Sequence, residues 1–173
     1  MADPDKPWDP KIRSTKKLRI KNNAEVGMWS GIVTQAVPIF NRTAQKAMEY
    51  DLVSEGKAEV VVKVAGANKS DPKFGDSSVH GKTFYGDGGQ GLVEVEIFVP
   101  AQITQNQTNV LMQILLHEMA HASGLVEHSS DGILMTVPNI WPDGSISSTK
   151  TSKKMPPFFL SNSSIMRLKK IWK

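Results

Sequence analysis

Charged and apolar side chains alternate through Lys17-Leu18-Arg19-Ile20-Lys21, the two-residue period of a strand with one buried face, and Asn22-Asn23 closes it. From Val26 to Tyr50 the apolar positions Trp29, Ile32, Val33, Ala36, Ile39, Phe40, Ala44, Ala47 and Met48 recur every three or four residues. That spacing predicts one amphipathic helix, kinked or divided at Pro38. The valine-rich run Ala58 to Ala65 predicts a buried strand, and the Gly, Asn, Ser, Asp and Pro residues between Gly66 and Ser78 a surface loop. Lys82 to Tyr85 reads as a short strand. Past the glycine cluster Gly86 to Gly91, Glu94 and Glu96 alternate with Val93, Val95 and Ile97, so Leu92 to Val99 is expected to be a strand with one wet face at a sheet edge. Val110 to Ser123 is apolar nearly all round, the mark of a buried helix, and Gly124 is its natural stop. An irregular, proline-bearing stretch follows. The last element is a helix from Ser161 to Trp172, capped by Ser161 or Asn162.

This order predicts an α+β fold: a twisted mixed β-sheet with long helices and a short irregular C-terminal part ending in a helix. A length of 173 residues fits one domain, and the sequence contains no internal repeat. Residues 1–14 are expected to be a flexible lead-in, residues 15–124 the sheet and helix part, and residues 125–173 a smaller C-terminal part.

Composition narrows the chemistry. Hydrophobic residues are 39% and charged residues 22%, which suits a folded globular chain and argues against disorder. With no cysteine, disulfides, thiolate ligands and thiol nucleophiles are excluded, so any metal must be held by His, Asp or Glu. Met1 to Trp8 lack the basic start and apolar run of a signal peptide, and no stretch has the length of a membrane span. A cytoplasmic monomer is the expectation, with secretion by other routes, release by lysis or association with a phage particle as the alternatives. The net charge of +4 draws on basic clusters at 11–21, 150–154 and 167–173. These are read as solvated termini and loops, so nucleic acid is not the expected partner.

Residues 117–121 read His-Glu-Met-Ala-His. Two histidines four apart share a helix face and can share one tetrahedral metal, and the glutamate between them lies beside a metal-bound water. Zinc lowers the pKa of such water from about 15.7 to about 7, within reach of a carboxylate base. Three of the four histidines fall within twelve residues, in an otherwise apolar helix where buried imidazoles and a carboxylate are costly without partners. His117 and His121 are therefore metal-ligand candidates and Glu118 the candidate general base. A positive-φ Gly124 would turn the chain back toward the metal, with Glu127 and His128 both in reach as third ligand.

The run from His117 to Ser130 resembles the extended motif of the metzincin clan of zinc peptidases, HExxHxxGxxH followed by a methionine turn. It matches through Gly124. At the family's third-histidine position stands Glu127, and the histidine comes one residue later. Either the turn holds one extra residue and His128 is the ligand, or Glu127 supplies a carboxylate as snapalysin-like enzymes use an aspartate. His128 is favoured, since Leu125 to Ser130 resembles the Leu-Asp-His-Ser-Ser segment of matrixins with one insertion. Phe159 to Ile165 is similar to the start of the matrixin final helix. The resemblance implies a zincin fold, a Zn²⁺ cofactor, Met135 as the floor of the site, and a peptide or protein substrate paired along Leu92, Val93, Glu94 and Val95. Pro138 would belong to the wall of the pocket beyond the scissile bond. It implies a zinc endopeptidase; a catalytically silent zinc-binding module and a DNA-associated HExxH protease are the alternatives. The family's cysteine switch is excluded, and its calcium and structural-zinc loops are not recognisable.

Overall fold

The computed structural model describes residues 5–24, 29, 31–64, 81–100, 108–129, 133–137, 139–140, 146–147 and 154–173. Along the chain run α1 (Pro10–Arg13), β1 (Lys17–Asn23), α2 (Ile32–Thr43), β2 (Glu49–Val53), β3 (Val60–Val64), β4 (Lys82–Asp87), β5 (Leu92–Val99), α3 (Thr108–Ala122), β6 (Asn139–Ile140), β7 (Ile146–Ser147) and α4 (Asn162–Ile171). The fold is α+β. One five-stranded sheet has the order β2-β1-β3-β5-β4, parallel throughout except for the antiparallel β4 beside β5. Its registers pair Leu18 with Tyr50, Ile20 with Val60 and Val62 with Ile97.

The alternation read in β1 holds: Leu18 and Ile20 are buried, Lys17 and Arg19 exposed. With Val60, Val62, Val95 and Ile97 they form a core shared with α2 and α3. The opposite face is laced by ion pairs, Arg19 with Glu59 and Lys63 with Glu96.

Helix α2 is shorter than its apolar spacing predicts, and Pro38 lies inside it without dividing it. After its C-terminal turn the backbone takes positive φ at Gln45 (49°) and Lys46 (64°), which ends the helix with no glycine or proline to announce it. The chain then enters β2, a strand absent from the hydrophobic pattern because Tyr50 satisfies helical spacing equally well. Asn41 of α2 pins that strand, donating to the Tyr50 carbonyl at 2.9 Å and accepting from its amide at 2.7 Å.

Two expectations are corrected. Leu92 to Val99 is not a sheet edge: β5 lies between β3 and β4, and β4 is the outermost strand on that side. β4 flanks β5 along its length, β3 pairs with Val95–Val99 on the other side, and Pro7 and Asp9 pair with Leu92 there, so β5 is not the edge strand on which a peptide was expected to pair along Leu92, Val93, Glu94 and Val95. Nor are residues 5–14 a loose lead-in. Trp8 is fully buried, Pro7 and Asp9 pair with Leu92, and the Lys6 amide donates to the Gly124 carbonyl at 2.9 Å. An indole of that size recovers roughly 2–3 kcal/mol or more on burial, which ties the segment down.

A candidate metal centre on the buried helix

Every residue of α3 from Val110 to Ala122 is buried, His117, Glu118 and His121 included. The C-terminal carbonyls of so enclosed a helix need donors; backbone amides reach those of Met119, Ala120 and His121, and side chains supply the rest and second bonds. They come from all over the chain. Tyr50 Oη donates to the Met119 carbonyl (2.6 Å), Ser123 Oγ to Ala120 (2.6 Å), Tyr85 Oη to His121 (3.2 Å), Trp8 Nε1 to Ala122 (2.9 Å) and Trp172 Nε1 to Ser123 (2.9 Å). Both tyrosines of the chain and two of its four tryptophans serve this one turn. The hydrophobic pattern counts these rings as core and is silent about their polar ends; the available signal is that a buried Tyr or Trp must find a partner.

Gly124 takes φ +113° and turns the chain, as its position after the helix predicts. A Cβ there would stand 2.5 Å from the Lys6 carbonyl oxygen, so the close approach of the N-terminal segment also requires glycine. The turn carries His128 back to the helix. The Nε2 atoms of His117, His121 and His128 form a triangle with all three sides 3.2 Å. Among the described residues these three form the group able to hold a metal. Glu127 is directed to Arg167 at 3.8 Å.

The donor chemistry fits a cation. A metal 2.0–2.1 Å from three nitrogens at tetrahedral angles needs them about 3.3–3.4 Å apart. Nδ1 of His117 lies 2.7 Å from the Leu134 carbonyl and Nδ1 of His121 lies 2.7 Å from the Leu125 carbonyl. A nitrogen facing a carbonyl must carry the proton, which leaves Nε2 of both rings as a bare lone pair directed at the common focus. Desolvation favours the neutral form of all three rings, of which His128, the exposed member of the cluster, is the least enclosed. It lowers His117 against the Leu134 hydrogen bond, takes His121 down to about 3 with help from His117, and lowers His128, again with His117. Lone pairs converging at this distance repel one another unless a cation sits between them.

Met135 is buried at the turn Ile133–Thr136, and its neighbours act through the backbone: the Leu134 carbonyl orients His117, and the Met135 carbonyl accepts from the Ser129 amide at 2.9 Å. Glu118 is buried beside the cluster, and burial pushes its carboxyl up to about 7 against a hydrogen bond from Thr83. Gly81, Thr83 and Tyr85 from β4 and its approach join Glu118, His121, Val126 and His128 around a cleft of about 260 Å³. Pro138 and His80 lie outside the described residues.

The chain matches no protein-family model and no curated protein. No helix among the described residues is long and apolar enough to cross a membrane.

Proposed function

We propose that this chain is a zinc-dependent endopeptidase of the metzincin kind, hydrolysing peptide bonds at the His117, His121 and His128 cluster. The observation that carries the reading is the 3.2 Å triangle of Nε2 atoms with a buried glutamate of the same helix beside it. Three neutral imidazoles with one side open to a cleft match the donor set of a catalytic zinc site, which keeps a position for water or substrate, better than that of a closed four-ligand structural site. Zinc held there would supply an acidified water and a Lewis acid for the scissile carbonyl.

The protein's own part follows from its residues. His117 and His121 are held in one tautomer by the carbonyls of Leu134 and Leu125, so their donor atoms are set before any metal arrives. Glu118 takes the proton of the attacking water as the water oxygen bonds to the carbonyl carbon, then returns it to the amine as the C–N bond breaks. A carboxyl whose burial raises it to about 7 without a cation would be drawn back toward its ionised form beside one. The strand that faces the cleft is β4, the outermost strand on its side of the sheet, which suits an extended peptide adding itself by main-chain hydrogen bonds.

The test uses the purified chain loaded with one equivalent of zinc and a peptide library read by mass spectrometry. Cleavage by the wild type, lost in a Glu118→Ala variant that still folds and binds zinc, is the expected result. Stoichiometric zinc without cleavage of any peptide or protein would overturn the peptidase reading and leave a metal-binding module.

A further inference from the structure

Glu118 has one side-chain hydrogen bond among the described residues: Thr83 Oγ1 donates to its Oε2 at 2.5 Å. The same hydroxyl lies 3.4 Å from the Glu118 carbonyl, and with a single proton to give it serves the nearer acceptor, the carboxyl oxygen. Two residues earlier stands Gly81. A Cβ at Gly81 would lie 2.7 Å from Glu118 Cγ and 3.0 Å from Oε1, so the bare backbone at that point presses directly on the glutamate side chain. Residues two apart on an extended chain face the same way. Gly81 and Thr83 thus form one cradle, closing on the methylene side of Glu118 with one and on a carboxylate oxygen with the other.

We infer that Thr83, aided by the space left at Gly81, is a positioning residue for the general base. The inference rests on the peptidase reading and deepens it. Glutamate has three rotatable bonds, and the one side-chain hydrogen bond to the Glu118 carboxyl among the described residues comes from β4, not from its own helix. Tying Oε2 to Thr83 fixes their setting, and it leaves Oε1 as the oxygen that takes and returns the proton. Thr83 acts through Glu118 and touches neither metal nor substrate in this role. Because Thr83 belongs to the outermost strand, the backbone offered to a peptide and the hydroxyl that aims the base are parts of one element, so a peptide pairing with β4 steadies the base as it binds.

The variants Thr83→Val, Thr83→Ser and Gly81→Ala are compared with wild type as zinc-loaded protein of all 173 residues. In Thr83→Val, kcat is expected to fall about 10- to 100-fold, with KM and zinc affinity by chelator competition each within about threefold of wild type. Thr83→Ser, which keeps the hydroxyl, recovers kcat to within about threefold. Gly81→Ala displaces Glu118 with Thr83 intact and lowers kcat while retaining zinc. After Co²⁺ substitution, the visible d–d bands of Thr83→Val shift toward those of Glu118→Gln, and those of Thr83→Ser stay with wild type. A wild-type kcat and cobalt spectrum in Thr83→Val overturns the inference. So does equal impairment of the Ser and Val variants in folded protein, or loss of zinc or fold in Thr83→Val with full activity in Gly81→Ala. If wild type itself cleaves nothing, the peptidase reading fails, and the cobalt spectra still decide whether Thr83 sets the Glu118 carboxylate.

Discussion

Glu127 and His128 are adjacent in sequence, yet of the two only His128 lies in the imidazole cluster. The turn after Gly124 brings His128 Nε2 to 3.2 Å from its two partners and leaves Glu127 facing Arg167. His128→Ala is expected to lower zinc affinity by more than the 10- to 100-fold typical of losing an outer partner, and Glu127→Ala by less than about threefold, as measured by competition with a chromophoric chelator. Away from the site, Glu59 shows how single residues set the acid response. Burial works to raise its carboxyl, but hydrogen bonds from the Arg19 side chain and amide outweigh it and hold the group below its usual 4.5. A depressed folded value contributes stability that is present above the ordinary carboxylate range and lost as pH falls through the folded value. Urea melts of Glu59→Gln should therefore show a shallower loss of stability between about pH 5 and pH 3 than wild type.

At the scale of elements, α3 is a helix buried from Val110 onward whose C-terminal turn is held by side chains from β2, β4, the N-terminal segment and the residue after α4. The two indoles give the Ala122 and Ser123 carbonyls partners that burial would otherwise leave costly, and the two tyrosines add a second bond to the Met119 and His121 carbonyls, which already accept amides. Trp172→Phe removes the donor to the Ser123 carbonyl, and a loss of about 1–3 kcal/mol is expected by denaturant melting. Gly124→Ala combines a positive φ with a collision against the Lys6 carbonyl. It is expected to cost about 1–3 kcal/mol and to weaken zinc binding, because the same turn delivers His128.

Across the whole molecule, Asp5 of the N-terminal segment and Arg167 of α4 meet at the turn that leads to His128. Asp5 accepts from the Val126 amide at 3.2 Å and pairs with Arg167 of α4, which also faces Glu127. N-terminal segment and final helix therefore brace the residues leading to His128. Asp5→Ala is expected to weaken zinc by up to about tenfold and to raise hydrogen exchange at Val126 and its neighbours, with the sheet amides unchanged. Metal binding should in turn stabilise the fold. Zinc at 1,000 times its Kd adds about 4.1 kcal/mol, so a chelator is expected to lower Tm by several degrees in a thermal melt.

What the sequence by itself determined was periodic or local. The alternation of β1, the valines of β3, the apolar run of α3, the i,i+4 histidines, the turning glycine and the Ser161 cap all depend on neighbours a few residues apart, and all of them stand in the structure. What only the tertiary structure decided was contact between distant segments. The helix ended early at Gln45 and Lys46, where no local breaker stands. Leu92 to Val99 became an inner strand because β4 folds back outside it, a pairing that alternation alone does not reveal. Trp8 left the expected loose end for the core, and Thr83 came to rest on Glu118, 35 residues away. His128 rather than Glu127 joined the cluster for the same reason: a turn sets which of two adjacent side chains points inward, and its geometry depends on Lys6, Asp5 and Arg167, which the spacing of the motif does not include.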